Sequence, residues 1–227
     1  MSNTAKLIQE MQTYYHHRAA LYDVSMGYDQ PETVMQLTPV IERLRQLVTD
    51  KKVLEIACGP CFWTQQIYDC THSILATDFN QSVLNQAAMK KLSSDKVQMQ
   101  QADAYQLDGV PSNFEVALAI DWLSHVPKTR LQGFLKNLHR HVQGMVIFCD
   151  QLPGPQSQTD TFDEEGNHLQ QRTLPDSSSY TVIKHFFCNQ EINSIFTPFT
   201  PQIAIERFPQ TRRLLIHYPL IAAENLS

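Results

Sequence analysis

No run in this chain of 227 residues approaches the roughly 18 consecutive apolar residues that a membrane-spanning helix needs, so no span is expected. The first residues are polar and lack the apolar centre of a secretory signal, and none is expected. Clustered basic charge is also missing. Lys51-Lys52, Lys90-Lys91 and Arg212-Arg213 are isolated pairs, the net charge is −5 and the pI is near 6.0. Binding to a phosphate backbone needs grouped Lys and Arg, so tRNA and DNA drop out as partners, and the three pairs read as solvated element ends. Five cysteines are an odd number and a small share of the chain, which predicts free thiols in a reducing, cytoplasmic compartment. There is no internal repeat and no separate linker. One domain is expected, with a core of ordinary size at 42% hydrophobic content.

What the chain does have, from residue 52 onward, is alternation. Short apolar runs at Val53–Ala57, Ser73–Thr77, Val97–Gln101, Phe114–Ile120 and Met145–Cys149 predict strands. Helical spacing separates them at Phe62–Tyr68, Gln81–Lys91 and Lys128–Val142. Near-continuous strands such as Val116–Ile120 predict burial on both faces, and the alternation predicts a parallel sheet with helices on both sides. Residues 3–20 lack turn signals and predict a helix, and Thr38-Pro39 is read as the start of a second one. The polar stretch 151–179 is expected to be a long loop. Tyr180–Phe187 alternates as a strand does, Asn189 is placed to cap a helix reaching about Phe196, and Gln202–Arg207 with Arg212–Tyr218 form a closing pair.

The organising stretch is Val53–Thr64. An apolar strand meets Gly59-Pro60 and runs into a helix, the arrangement that brings backbone N–H groups and a helix start up to a small ligand. The same turn contains Cys58-Gly59-Pro60-Cys61, which can be read as a thiol redox loop, and Cys58, Cys61, Cys70 and His72 can be read as zinc ligands. The strand ends weigh against both. Asp78 follows Gly59 by about 20 residues, the spacing at which an acid accepts hydrogen bonds from a ribose diol. Asp103, Asp121 and Asp150 then close the third, fourth and fifth strands. Asp favours turns, so one such residue means little, but four beside a glycine turn point to a nucleoside-type ligand.

Together these residues resemble the class I S-adenosylmethionine-dependent methyltransferases of small-molecule type, over about residues 12–218. The family's first motif is similar to Val53–Thr64, with Glu55 its acidic strand residue and Gly59 its turn glycine. The resemblance implies an α/β fold: a Rossmann-like, doubly wound, mostly parallel seven-stranded sheet with an antiparallel edge strand, helices on both faces and an N-terminal helical lid. It divides one domain into a lid (1–50), a cofactor core (51–150), an insertion over the acceptor pocket (151–187) and a C-terminal helix with edge strands (188–227). The implied cofactor is S-adenosyl-L-methionine, leaving as S-adenosyl-L-homocysteine. Its implied contacts are Tyr15 and Arg18 on the lid, Glu55, Ala57, Cys58 and Gly59 at the turn, Asp78 and Phe79 after the second strand, Asp103 and Ala104 after the third, and Asp121 and Trp122 after the fourth. The family pattern has three alternating glycines; this chain has Ala57, Gly59 and Cys61.

For the reaction, His125 is the candidate general base, with a packing role as its alternative; His16 and His17 come second, with surface exposure as theirs. Trp122 can line the acceptor pocket or the core. Arg172 and Lys184 can hold an acidic acceptor or be solvated. A small-molecule acceptor methylated at oxygen or nitrogen is expected, with no metal, in a monomer or homodimer. A non-catalytic module that only binds the cofactor or a nucleoside is the remaining alternative.

Overall fold

The computed structural model describes residues 3–154 and 161–220. Its elements run α1 (Asn3–Arg18), α2 (Tyr22–Met26), α3 (Pro31–Val48), β1 (Lys52–Ile56), α4 (Phe62–Ile67), β2 (Ser73–Asp78), α5 (Gln81–Ala88), β3 (Val97–Gln101), β4 (Phe114–Ile120), α6 (Lys128–Leu138) and β5 (Val142–Gln151). There follow β6 (Thr161–Phe162), β7 (His168–Thr173), β8 (Ser179–Ile183), α7 (Asn189–Phe196), β9 (Ala204–Phe208) and β10 (Arg213–Pro219). A seven-stranded sheet has the order β3-β2-β1-β4-β5-β10-β9. Strands β1 to β5 are parallel, and β10 runs antiparallel to both β5 and β9.

The continuous apolar strands follow from this layering. Val116, Leu118 and Ile120 face one core with Val40, Leu44 and Ile67, beneath α3 and α4. Ala117 and Ala119, their neighbours in sequence, face the other with Phe134, Phe148 and Phe196, beneath α6 and α7. Both faces of β4 are therefore dry, and alternation between apolar and polar residues has no reason to appear. The reversed direction of β10 matters for the site. It sets Arg213, the first residue of the strand, opposite Gln151 at the carboxyl end of β5.

Three expectations need correction. The second helix begins at Pro31, not at Thr38, and Pro39 lies inside it. Pro31 sits at the helix start, where no N–H is required, and Pro39 stands on a solvent-facing stretch with exposed Met35 and Thr38. Lys128–Val142 is not one helix: α6 stops at Leu138 and Val142 opens β5. The stretch 151–179 is not simply a loop, because β6, β7 and β8 form a three-stranded antiparallel sheet; residues 155–160 of it lie outside the described residues. The inward positions of β7 are His168 and Gln170, polar residues that give no apolar signal.

This small sheet carries α1. Leu7, Met11 and Tyr14 pack on Leu174, Val182 and Ile183 in a third core of their own. Thr181 N–H donates to Glu10, and Ile183 N–H to the Met11 sulfur at 3.3 Å. Asn80 Nδ2 donates to the Gln12 carbonyl at 3.2 Å, tying α1 to the carboxyl end of β2. The N-terminal helix and the insertion thus make one cover over the ends of the parallel strands.

Candidate active site

The turn between β1 and α4 explains the spacing of its residues. Ala57, Gly59 and Cys61 have φ of +51°, +58° and +60°. All three alternating positions are left-handed, a conformation that glycine adopts freely and that costs other residues roughly 1–2 kcal/mol each. A Cβ on Gly59 would meet nothing within 4 Å, so that face of the turn is open to a ligand. Asp78 locks the turn from the end of β2. Gly59 N–H donates to its Oδ2 at 3.0 Å and Asn80 N–H to its Oδ1 at 2.9 Å. Burial pushes the Asp78 carboxyl up to about 6, although these N–H groups favour the carboxylate.

Above the turn lies a cavity of about 840 Å3, its open mouth included. Ten of the implied residues line it: Tyr15, Ala57, Gly59, Asp78, Phe79, Asp103, Ala104, Asp121, Trp122 and His125. Tyr22 joins them, and so do Ile8, Met11, Gln12, Val83 and Tyr105, which had not been singled out from the sequence. The residues on α1 had only helical spacing to announce them, and that spacing cannot show what a helix covers. Three implied contacts stand outside the wall. Glu55 is buried beneath it, where it accepts from Thr64 Oγ1 at 2.6 Å and joins β1 to α4; burial raises its carboxyl to about 7. Cys58 lies behind the turn. Arg18 donates to Ser25 Oγ from Nε at 3.0 Å and Nη2 at 2.7 Å, and faces a separate cleft with Arg172. His16 and His17 are exposed, and His17 Nδ1 meets the Tyr180 hydroxyl at 2.7 Å.

The thiols do not have the character a redox loop needs. Cys58 and Cys61 are buried, and the adjoining Cys61 together with desolvation holds the Cys58 thiol well above its usual range. The thiolate is the reactive form. Among the described residues no group of three or more His, Cys, Asp or Glu side chains is arranged to hold a metal ion.

The end of the cavity nearest α1 is built differently. His125, in a short 3-10 turn after β4, accepts from the Tyr15 hydroxyl at Nε2 (2.9 Å) and donates from Nδ1 to the Ile183 carbonyl. That pairing fixes the neutral ring with its proton on Nδ1. Burial, reinforced by the Lys184 cation, lowers the His125 pKa to about 3. Arg213, read as a solvated end from the sequence, is buried, and so is Lys184, for which solvation was one of two alternatives. Lys184 Nζ donates to Ser124 Oγ at 2.9 Å, and its pKa is lowered by desolvation against the pull of Asp121 and Asp150. Arg213 Nη1 pairs with Asp121 Oδ1 at 2.6 Å. Burial pushes the Asp121 carboxyl up, but Arg213 and Lys184 together hold it below its ordinary value. Trp122 is gripped by Tyr105 and Phe134 at ring separations of 5.7 and 6.2 Å.

The fold that places this cavity at the carboxyl ends of parallel strands, over a left-handed turn, is similar to known proteins. Residues 53–144 match a protein family described as a methyltransferase domain. Over that stretch the core is similar to a methyltransferase domain. The fold is similar to that of DhpI in its complex with SAM and HEP, 25% identical over 96% of this chain and 98% of that one, at a TM-score of 0.77. It superposes equally on DhpI with SAH, at 23% identity, 95% and 98% coverage and a TM-score of 0.75. An S-adenosylmethionine-dependent methyltransferase from Clostridium acetobutylicum ATCC 824 shares the fold at 15% identity, 92% and 99% coverage and a TM-score of 0.62. A search of curated protein sequences finds no match. The seven-stranded order, with its reversed β10, is the architecture the resemblance implied.

Proposed function

We propose that the protein is an S-adenosylmethionine-dependent methyltransferase acting on a small molecule at oxygen or nitrogen. One observation supports it above others. Asp78 closes the glycine turn while lining a cavity that also takes in Asp103 and Ala104, which is the set of groups a nucleoside needs. Asp78 would hold the ribose hydroxyls, Phe79 and Ala104 the adenine faces, and Asp103 its amino group. When bound, the cofactor supplies an electrophilic methyl on a sulfonium. The residues around it then have to align the acceptor and exclude water.

The opposite end is suited to alignment. Tyr15 and Tyr22 descend from the cover, and Trp122 forms the wall. His125 keeps the Tyr15 hydroxyl in one direction. A ring whose conjugate acid forms only near pH 3 is a weak proton acceptor, so His125 serves as a positioning residue. Arg172 and Lys184 both bear electrostatically on His125, and their charge favours an acceptor that carries an acid group. The cover of α1 and β6–β8 favours a small acceptor over a polymer.

Calorimetry with purified protein and S-adenosylmethionine or S-adenosylhomocysteine tests the proposal. Binding of both, with a rise in melting temperature, is expected. Neither heat nor thermal shift with either ligand would overturn it.

A further inference from the structure

We infer that Asp121 and Arg213 form a charge-recognition device: Arg213 holds one oxygen of the Asp121 carboxylate so that the other receives the cationic end of the methyl donor, its ammonium and sulfonium groups. This rests on the S-adenosylmethionine reading above.

Arg213 reaches the site because β10 runs against the parallel strands. Its first residue stands opposite Gln151, level with the carboxyl ends where the cavity lies. The guanidinium is then pinned from three sides. Nη1 donates to Asp121 Oδ1 at 2.6 Å, Nη2 donates to the Tyr28 hydroxyl at 3.0 Å, and the group lies 5.2 Å from the centre of the Trp63 ring. The Arg213 side chain is 4% exposed and that of Asp121 8%. A fork held this firmly fixes the carboxylate in one orientation.

Only half of the carboxylate is used. Asp121 Oδ2 is buried and accepts no hydrogen bond from any described residue, although Asp121 lines the cavity. The nearby Lys184 ammonium does not fill that role, since its hydrogen bond goes to Ser124. A buried carboxylate oxygen without a donor is costly, more so than a neutral group. Asp121 also has φ of +55°, a left-handed conformation that tends to persist at functional sites where the surroundings over-determine it. At the far end, Asp78 is occupied by two N–H groups and is placed for neutral hydroxyls. The positive charge of the ligand therefore belongs with Asp121.

The alternative is a buried ion pair that serves the fold alone. Two ligands separate the readings: S-adenosylmethionine, and 5′-methylthioadenosine, which keeps the nucleoside thioether and lacks both charges. Asp121→Asn preserves shape and tolerates the left-handed backbone, so it removes only charge. It is expected to weaken S-adenosylmethionine by about 10- to 100-fold, the range for a hydrogen bond to a charged group, while changing methylthioadenosine by less than about twofold. Arg213→Gln is expected to do the same to a smaller degree, with Arg213→Lys recovering part of the loss. Retained methylthioadenosine binding is the folding control for each variant; if Arg213→Gln does not fold, Asp121→Asn decides. Equal weakening of both ligands by Asp121→Asn, or of neither, would overturn the inference. So would wild-type protein that binds methylthioadenosine but not S-adenosylmethionine. Wild-type protein that binds neither would overturn the cofactor reading, and this inference with it.

Discussion

The end of the cavity assigned to the nucleoside is made from two neighbouring strands, β2 and β3, and four residues at or just beyond their ends: Asp78, Phe79, Asp103 and Ala104. The end assigned to methyl transfer draws on four separate segments: Tyr15 from α1, Asp121 and His125 after β4, Lys184 after β8 and Arg213 from β10. Their chemistry differs as much as their assembly. The first end has carboxylates that meet backbone N–H groups, as suits hydroxyls and an amino group. The second has buried side chains that neutralise one another, with acids and bases balanced around a neutral histidine. A site made of local strand ends can keep its function through many changes elsewhere, whereas one made of distant segments depends on the whole fold closing correctly.

Mutation can break that contrast. The largest effect is expected from Asp78→Ala, which removes a carboxylate that closes the turn and, in the proposed function, holds the ribose. Cofactor affinity measured by calorimetry should fall about 10- to 100-fold, since hydrogen bonds to charged groups are worth roughly 1.5–3 kcal/mol. An unchanged affinity would mean the nucleoside lies elsewhere. Tyr15→Phe should act on the other end only. Loss of one hydrogen bond of about 0.5–1.5 kcal/mol predicts roughly a two- to tenfold lower turnover. Cofactor affinity should stay within about twofold. Equal losses in turnover and affinity would show that the two ends do not work separately.

Protonation offers a third test. Glu55 ionises near 4.5 when unfolded and near 7 in the fold, because burial disfavours its charge. Between those values the folded state binds more protons than the unfolded one. The contribution of this carboxyl to stability is therefore full below about 4.5 and is lost as pH rises to about 7. Glu55→Gln keeps the hydrogen-bonding shape without the proton. Urea melts should show wild type losing stability relative to the variant across that window, by up to about 3 kcal/mol at about 1.36 kcal/mol per pKa unit. A flat difference would place Glu55 in a less buried setting. The smallest effect is expected from Cys58→Ala: cofactor affinity within about twofold of wild type, with or without dithiothreitol. Loss of affinity under oxidation in wild type alone would restore a redox role to the turn.

These differences also mark what the sequence could disclose. The order of strands and helices, the turn at Gly59 and the acids at Asp78 and Asp103 were legible because each lies within a few residues of the pattern that announces it. Ala57 and Cys61 looked like departures from a glycine motif, and the backbone shows why that motif exists: all three positions are left-handed. Arg213 was misread as a solvated end because a basic pair at a strand start carries no sign of which strand it will lie beside. Only the antiparallel pairing with β5 brings it to Asp121. For Lys184 the solvated alternative fails, because its ammonium is buried against Ser124 of the 3-10 turn at Leu123–His125, a contact that nothing near it in sequence announces. In the small sheet β8 was legible from Tyr180 onward, but β7 stayed hidden because its inward residues, His168 and Gln170, are polar.

The most direct test is the crystal structure of the protein with S-adenosylhomocysteine. The account predicts adenosine between Phe79 and Ala104, its ribose hydroxyls on Asp78, and the amino-acid end beside Asp121. Adenosine bound outside this cavity, or within it but turned so that the ribose lies away from Asp78, would contradict it.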